Sequence, residues 1–450
     1  MAEQFDALVI GSGQGGNPLV AALADAGWNC AMVEEALVGG TCVNVGCTPT
    51  KTMWNSARVA YLARRAADYG VNTGPISLDM PTVRARKQSM VDLWRSGSER
   101  SLQREHLELI RGHARFSGQH TVEVNGRELQ GRVVVIDTGC RPARPDMTGL
   151  DSVPTLDSTS IMELNAVPEH LIVLGGGYIG IEFGQMFRRF GSRVTIVHRG
   201  PRLLSREDAD VADGLAQILK EDGINLELNA RVARIAPGIR IDLEGGGTIA
   251  GSHLLVATGR TPNTELLNAP AGGVELDRRG FITVNERLQT TAQDVYAIGD
   301  VNGGPAFTHI SYDDFRVLKR RLLDGDDATT TARQLPYCVF SDPMLGRIGM
   351  SETEARDSGR PIRVARLNMS RVARAAEASE TRGFMKAVVD AETERILGAA
   401  VLGFEGGELM AVFQTAMMGN LPYSALRDAV WAHPTNAEAL NNLFGYGFSD

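Results

Sequence analysis

Residues 5–16, FDALVIGSGQGG, decide how the chain begins: an apolar strand, FDALVI, runs straight into a glycine turn, and an alanine-rich helical stretch follows to Gly27. A short apolar run bounded by glycine fits a buried strand of a parallel sheet better than a helix, which needs ten residues or more. The same order returns at residues 171–190, LIVLGGGYIGIEFGQMFRRF, and is followed by the strand RVTIVHR. Two such strand, turn and helix units predict two dinucleotide-binding halves of α/β type. Working outward, residues 51–70 and 84–106 read as helices and 121–136 as short strands, while ATGRTPN at 257–263 and VYAIGD at 295–300 punctuate later segments. From about Leu335 the pattern becomes that of a separate C-terminal domain.

Bulk properties agree with several domains. A chain of 450 residues is too long for one core. Its 43% hydrophobic and 22% charged residues are those of an ordinary globular protein, and fifty glycines suit repeated tight turns. A net charge of −8 argues against gripping nucleic acid or an anionic membrane, so small-molecule chemistry is expected. No signal peptide and no membrane-length apolar run is read, which predicts a cytoplasmic location. In a reducing compartment, five cysteines are no disulfide scaffold, and a close pair points to redox or metal chemistry.

Gly11, Gly13 and Gly16 give G-x-G-x-x-G, whose backbone brings a pyrophosphate onto a helix N-terminus. Glu34, 23 residues after Gly11, is placed to accept hydrogen bonds from ribose hydroxyls. Gly175, Gly177 and Gly180 repeat the pattern, but His198 stands 23 residues on and Arg199 follows. A carboxylate there repels a 2′-phosphate and a guanidinium binds it, so this unit reads as an NADPH site, with Arg202 and Arg206 adding charge. A solvated basic loop is the plainer alternative.

Cys42 and Cys47 lie five positions apart in GGTCVNVGCTPTK. On a regular helix their Cα atoms would be roughly 8 to 9 Å apart, too far for a disulfide, so Gly46 and Pro49 are expected to break or turn the segment. Two inert thiols, or half of a zinc site, are the alternatives. Cys30, Cys140 and Cys338 have no such setting. Lys51 and Glu182 can pair, and His433 and Glu438 in HPTNAE can be structural or act in proton transfer.

Taken in order, GGTCVNVGCTPTK, both glycine fingerprints, ATGRTPN, VYAIGD and HPTNAE resemble the class I pyridine nucleotide-disulfide oxidoreductases, which include glutathione reductase, dihydrolipoyl dehydrogenase and mercuric reductase. The C-terminal third looks most like mercuric-reductase-like proteins and flavin reductases of the reactive-chlorine-resistance type. The resemblance implies two Rossmann-like domains, for FAD and NADPH, and an α+β dimerisation domain. The segments are 1–147 and 266–334 for FAD, 148–265 for the nicotinamide cofactor, and 335–450 for the interface.

It further implies Cys42 as the interchange thiol, Cys47 as the flavin-side thiol, Lys51 and Glu182 as the pair beside the flavin, and Tyr178 as the ring gating the nicotinamide pocket. Gly40, Thr41, Ala114, Gly139 and Asp300 fall at FAD-binding positions and Gly259 at a cofactor-binding one. His433 and Glu438 correspond to an acid-base dyad supplied by the second subunit of a homodimer. The implied activity passes electrons from NADPH through FAD and the cysteine pair to a small disulfide or a soft metal ion, with a slow-turnover redox sensor as the rival. Two departures stand out. No cysteine follows Cys338, so the vicinal pair of mercuric reductases is not found, and efficient Hg(II) reduction is not expected. Asp137 replaces the usual alanine of a first ATG motif.

Overall fold

A computed structural model describes residues 1–448. Strand β1 (Glu3–Ile10) is the centre of the first sheet. It pairs in parallel with β2 (Cys30–Glu34) on one side and with the end of the chain's longest strand, Arg127–Ile136, on the other. Ala7 through Ile10 are buried, as a strand covered on both faces requires. Helix α1 (Gly16–Asp25) returns from β1 to β2 and completes the first unit. Strand Val295–Ala297, more than 150 residues later, adds in parallel to Arg127–Ile136. The chain therefore leaves this sheet and comes back to it, with the second glycine unit in between.

That second unit builds a four-stranded parallel sheet from His170–Leu174, Arg193–Val197, Asn225–Glu227 and His253–Val256. The C-terminal domain is a five-stranded antiparallel sheet spanning Tyr337–Val339 to Ile396–Gly403, with helix Gly406–Met418 packed on it. Buried ion pairs dock it on the second unit: Arg347 Nε lies 2.8 Å from Glu207 Oε2, and Lys386 Nζ 3.2 Å from Asp208 Oδ2.

The expected helix at 84–106 begins and ends earlier, at Met80–Ser101. Asp79 caps it by accepting the N–H of Thr82, and Pro81 stands in the first turn, where it has no N–H to satisfy. The cap outweighed the charged stretch from which the boundary was read.

Candidate active site

The cysteine segment is broken as its spacing requires. Helix α2 (Gly40–Asn44) stops, Val45 and Gly46 leave helical geometry, and α3 (Cys47–Arg64) starts at the second cysteine. A Cβ at Gly46 would stand 2.7 Å from Thr41 O, so the turn between the sulfurs needs glycine. Both cysteines are free thiols in this structure. Cys42 is held well above the ordinary thiol range, first by its hydrogen bond to Cys47 and then by burial. Cys47 is lowered to about 6 by the hydrogen bond from Cys42, against burial, with help from the Thr308 hydroxyl and the Lys51 charge. Its place at the first position of α3 favours the same thiolate.

Around the pair, Lys51 Nζ meets Glu182 Oε2 at 2.6 Å and lies 4.6 Å from the Phe340 ring centroid. Glu182, buried on helix Tyr178–Phe190, uses its other oxygen to accept the Phe340 N–H at 2.9 Å. The Tyr178 ring leans on Phe307 at 6.0 Å, and Phe307 stacks on Tyr337 at 5.5 Å. Thr308, next in the chain, places its hydroxyl 3.3 Å from Cys47 Sγ.

These groups line a cavity of about 1150 Å³. Gly11, Gly13, Glu34 and Ala114 lie on the same wall, as do Gly40, Thr41, Gly139 and Asp300. The wall fits a dinucleotide on structural grounds. Gly40 packs so closely on the first glycine turn that a Cβ there would lie 2.8 Å from Gly13 Cα. Thr138 Oγ1 and Arg260 Nε, both on lining residues, are buried without hydrogen-bond partners among the described residues. Asp300, its carboxylate 3.8 Å from Arg260 Nε, also lines the cavity.

Three expected residues behave differently from their reading. Glu34 lines the cavity, but Oε2 accepts both the N–H and the hydroxyl of Ser12, and Oε1 accepts the Ala36 N–H. It thus braces the glycine turn from the cavity wall. His198 accepts the Gly176 N–H at 3.2 Å and is held below the ordinary imidazole range, first by burial, so it supports the second glycine turn as a neutral ring. Arg202 pairs with Asp213 at 3.0 Å, whereas Arg199 and Arg206 are exposed and have no ion pair among the described residues, and Arg199 is the one adjacent to His198 in the chain. Gly175 and Gly177 form the turn before helix Tyr178–Phe190, where a Cβ at Gly175 would meet Ala257 O at 2.3 Å, and Gly180 lies in the first turn of that helix, where a Cβ would meet Gly175 O at 2.2 Å. Gly259 follows nearby with a left-handed φ of +152°.

His433 and Glu438 do pair, with Nδ1 to Oε2 at 2.9 Å, but the imidazole is two-thirds exposed and neither residue lines the cavity of its own chain. Thr308, His113 and Arg141 were missed as cavity residues, since none lies in a glycine or cysteine motif.

Two dinucleotide folds meeting at a dithiol define a flavoprotein disulfide reductase. The chain belongs to the pyridine nucleotide-disulphide oxidoreductase family: the model of that family matches residues 5–314, and its dimerisation domain matches residues 335–444. The family uses FAD and NAD(P)H, and the second match supports a homodimer. The chain is 38% identical over 455 residues to the probable pyridine nucleotide-disulfide oxidoreductase RclA of Escherichia coli K12, covering 98% of this chain and 99% of that one. It is 34% identical to a mercuric reductase of Bacillus cereus over 97% of this chain and 70% of the relative. The Cu(II) complex of the HOCl-induced flavoprotein disulfide reductase RclA from E. coli superposes with a TM-score of 0.90 at 38% identity, over 98% of this chain and 99% of that one. Among the described residues no helix is long and apolar enough to cross a membrane.

Proposed function

We propose that the enzyme carries electrons from NADPH through the Cys42–Cys47 pair to a thiophilic acceptor, a Cu(II)-like soft metal ion or a small disulfide. The observation that carries this reading is the cysteine pair itself, set either side of the tight Gly46 turn on the cavity wall, with the Thr308 hydroxyl 3.3 Å from Cys47 Sγ and the start of α3 behind it, a setting that favours charge on Cys47 over Cys42. Bound FAD supplies the redox ring between the nicotinamide cofactor and this pair. Opening the Cys42–Cys47 disulfide takes two electrons and one proton and leaves a Cys42 thiol with a Cys47 thiolate. Thr308, Lys51 and the start of α3 hold that charge beside the cavity.

Cys42 then needs a base to become a nucleophile or ligand. The Cys47 thiolate beside it, lowered to about 6, is too weak a base to take that proton. His433, oriented by Glu438, exposed and not on the wall of its own chain's cavity, is the base offered to the other subunit, so the working site is shared between chains. With a disulfide acceptor, Cys42 attacks one sulfur, the first thiol leaves, and Cys47 resolves the mixed disulfide. With Cu(II), two ions take one electron each as the pair closes. Thiolate sulfur suits such ions, and the Cu(II) complex of the related RclA favours them. Tyr178 screens the nicotinamide side, and Arg199 grips the 2′-phosphate.

NADPH oxidation measured against Cu(II), Hg(II), small disulfides and quinones tests the reading. Turnover is expected with thiophilic acceptors and is lost in Cys42→Ser. Slow oxidation with every acceptor supports a redox sensor instead, and quinone turnover that survives Cys42→Ser contradicts the thiol route.

A further inference from the structure

The carboxyl group of Asp137 sits where the first glycine turn, the strand crossing it and the Gly299 turn converge. Asp137 directly follows strand Arg127–Ile136, and its N–H bonds to Ile10 O at the end of β1. The side chain is 6% exposed. Oδ2 accepts the N–H of Gly16, the first residue of α1, at 2.7 Å. A Cβ at Gly13 or Gly16 would stand 2.7 or 2.9 Å from Oδ2, and one at Gly299 would stand 2.8 Å from Oδ1. The group therefore fills the space that three glycines leave open beneath the phosphate-binding turn, and Asp137 also lines the cavity.

The charged groups that act on it most strongly are acids: Asp300 on the Gly299 turn, Asp314 on helix Thr308–Leu323, and Glu34 at the end of β2. The others have compensation. Asp314 pairs with Arg333 at 2.6 Å, Asp300 lies 3.8 Å from Arg260, and Glu34 accepts three hydrogen bonds. Asp137 has only the Gly16 N–H and, among the described residues, no ion pair. Burial, and after it the three acids, holds its carboxyl well above the ordinary range despite that bond. The pyrophosphate of FAD, seated on the same helix N-terminus, adds more negative charge at the one place where α1 can offer compensation.

We propose that Asp137 positions the phosphate-binding turn as a neutral carboxylic acid, so that FAD retention is coupled to one proton and the enzyme loosens its flavin as pH rises. In the acid form the carbonyl oxygen still accepts the Gly16 N–H, and no anion competes with the pyrophosphate. Bound FAD raises the affinity of Asp137 for its proton, because like charge disfavours ionisation. The dissociation constant is then flat below the Asp137 pKa of the flavin-free protein. It rises by up to tenfold per pH unit until the pKa of the holoenzyme is reached, and is flat again above it.

The test uses oxidised holoenzyme diluted between pH 6 and 9.5, with released FAD read by its fluorescence at equilibrium. Wild type is expected to lose flavin progressively with pH, and Asp137→Asn, which keeps the acceptor and cannot ionise, to show little change. A pH-independent wild type, or an Asn variant with the wild-type slope, overturns the proposal. Should Asp137→Asn fail to fold, wild type alone decides. On the rising part of its curve, FAD release in weak buffer should free close to one proton per flavin, and release without a proton overturns the coupling.

Discussion

The Thr308 hydroxyl lies 3.3 Å from the Cys47 sulfur, joining two parts of the FAD-binding half that are 261 residues apart in sequence. Cys47 has a depressed pKa, about 6, so its thiolate is present above that pH and is lost as pH falls through it. A hydrogen bond to a charged acceptor contributes about 1.5 to 3 kcal/mol. Thr308→Val should therefore move the titration of Cys47 upward by roughly one to two pH units. The long-wavelength absorbance of a thiolate beside oxidised flavin, followed against pH in the two-electron-reduced enzyme, measures this. An unmoved midpoint assigns the stabilisation to Cys42, Lys51 and the α3 terminus alone.

His433→Ala should lower acceptor turnover by about a hundredfold or more while reduction of the enzyme by NADPH stays near the wild-type rate. The imidazole pairs with Glu438 and lies outside its own chain's cavity, so only the step that needs a proton taken from Cys42 depends on it. Stopped-flow measurement of the two half-reactions separates them. Equal losses in both would mark His433 as structural.

Arg199, next to His198 in the chain, is exposed and without an ion pair among the described residues, as is Arg206, while Arg202 pairs with Asp213. A bidentate contact with the 2′-phosphate, at about 1.5 to 3 kcal/mol, favours NADPH over NADH by roughly ten- to a hundredfold. Arg199→Glu should raise KM for NADPH far more than KM for NADH. Steady-state kinetics with both cofactors checks this, and a wild type that uses NADH as well as NADPH contradicts it.

The parts of this site that were legible in the sequence are those written in local geometry. Gly11, Gly175 and Gly46 each occupy a place where a side chain would strike backbone within 2.7 Å, and their neighbours in sequence already showed the turn. The break between Cys42 and Cys47 followed from helix geometry and the reach of a disulfide. What could not be read were contacts made by folding across long distances. Thr308 meets Cys47 only because helix Thr308–Leu323 starts beside α3, and Asp137 reaches Gly16 only because two strands pair in parallel. His198 sat at the right position for a phosphate ligand, yet its ring turned inward to Gly176, a choice set by packing rather than by spacing.

The central claim is that electrons from NADPH come to rest on Cys42 and Cys47, and it is tested most directly by counting thiols. Anaerobic enzyme, first oxidised and then given one equivalent of NADPH, is denatured in an alkylating agent, and the modified cysteines are identified by peptide mass spectrometry. Cys42 and Cys47 should be blocked before NADPH and alkylated after it, while Cys30, Cys140 and Cys338, free in the structure, should be alkylated equally in both samples. If NADPH is consumed and the labelling of Cys42 and Cys47 does not change, the pair is not the electron carrier and the account fails.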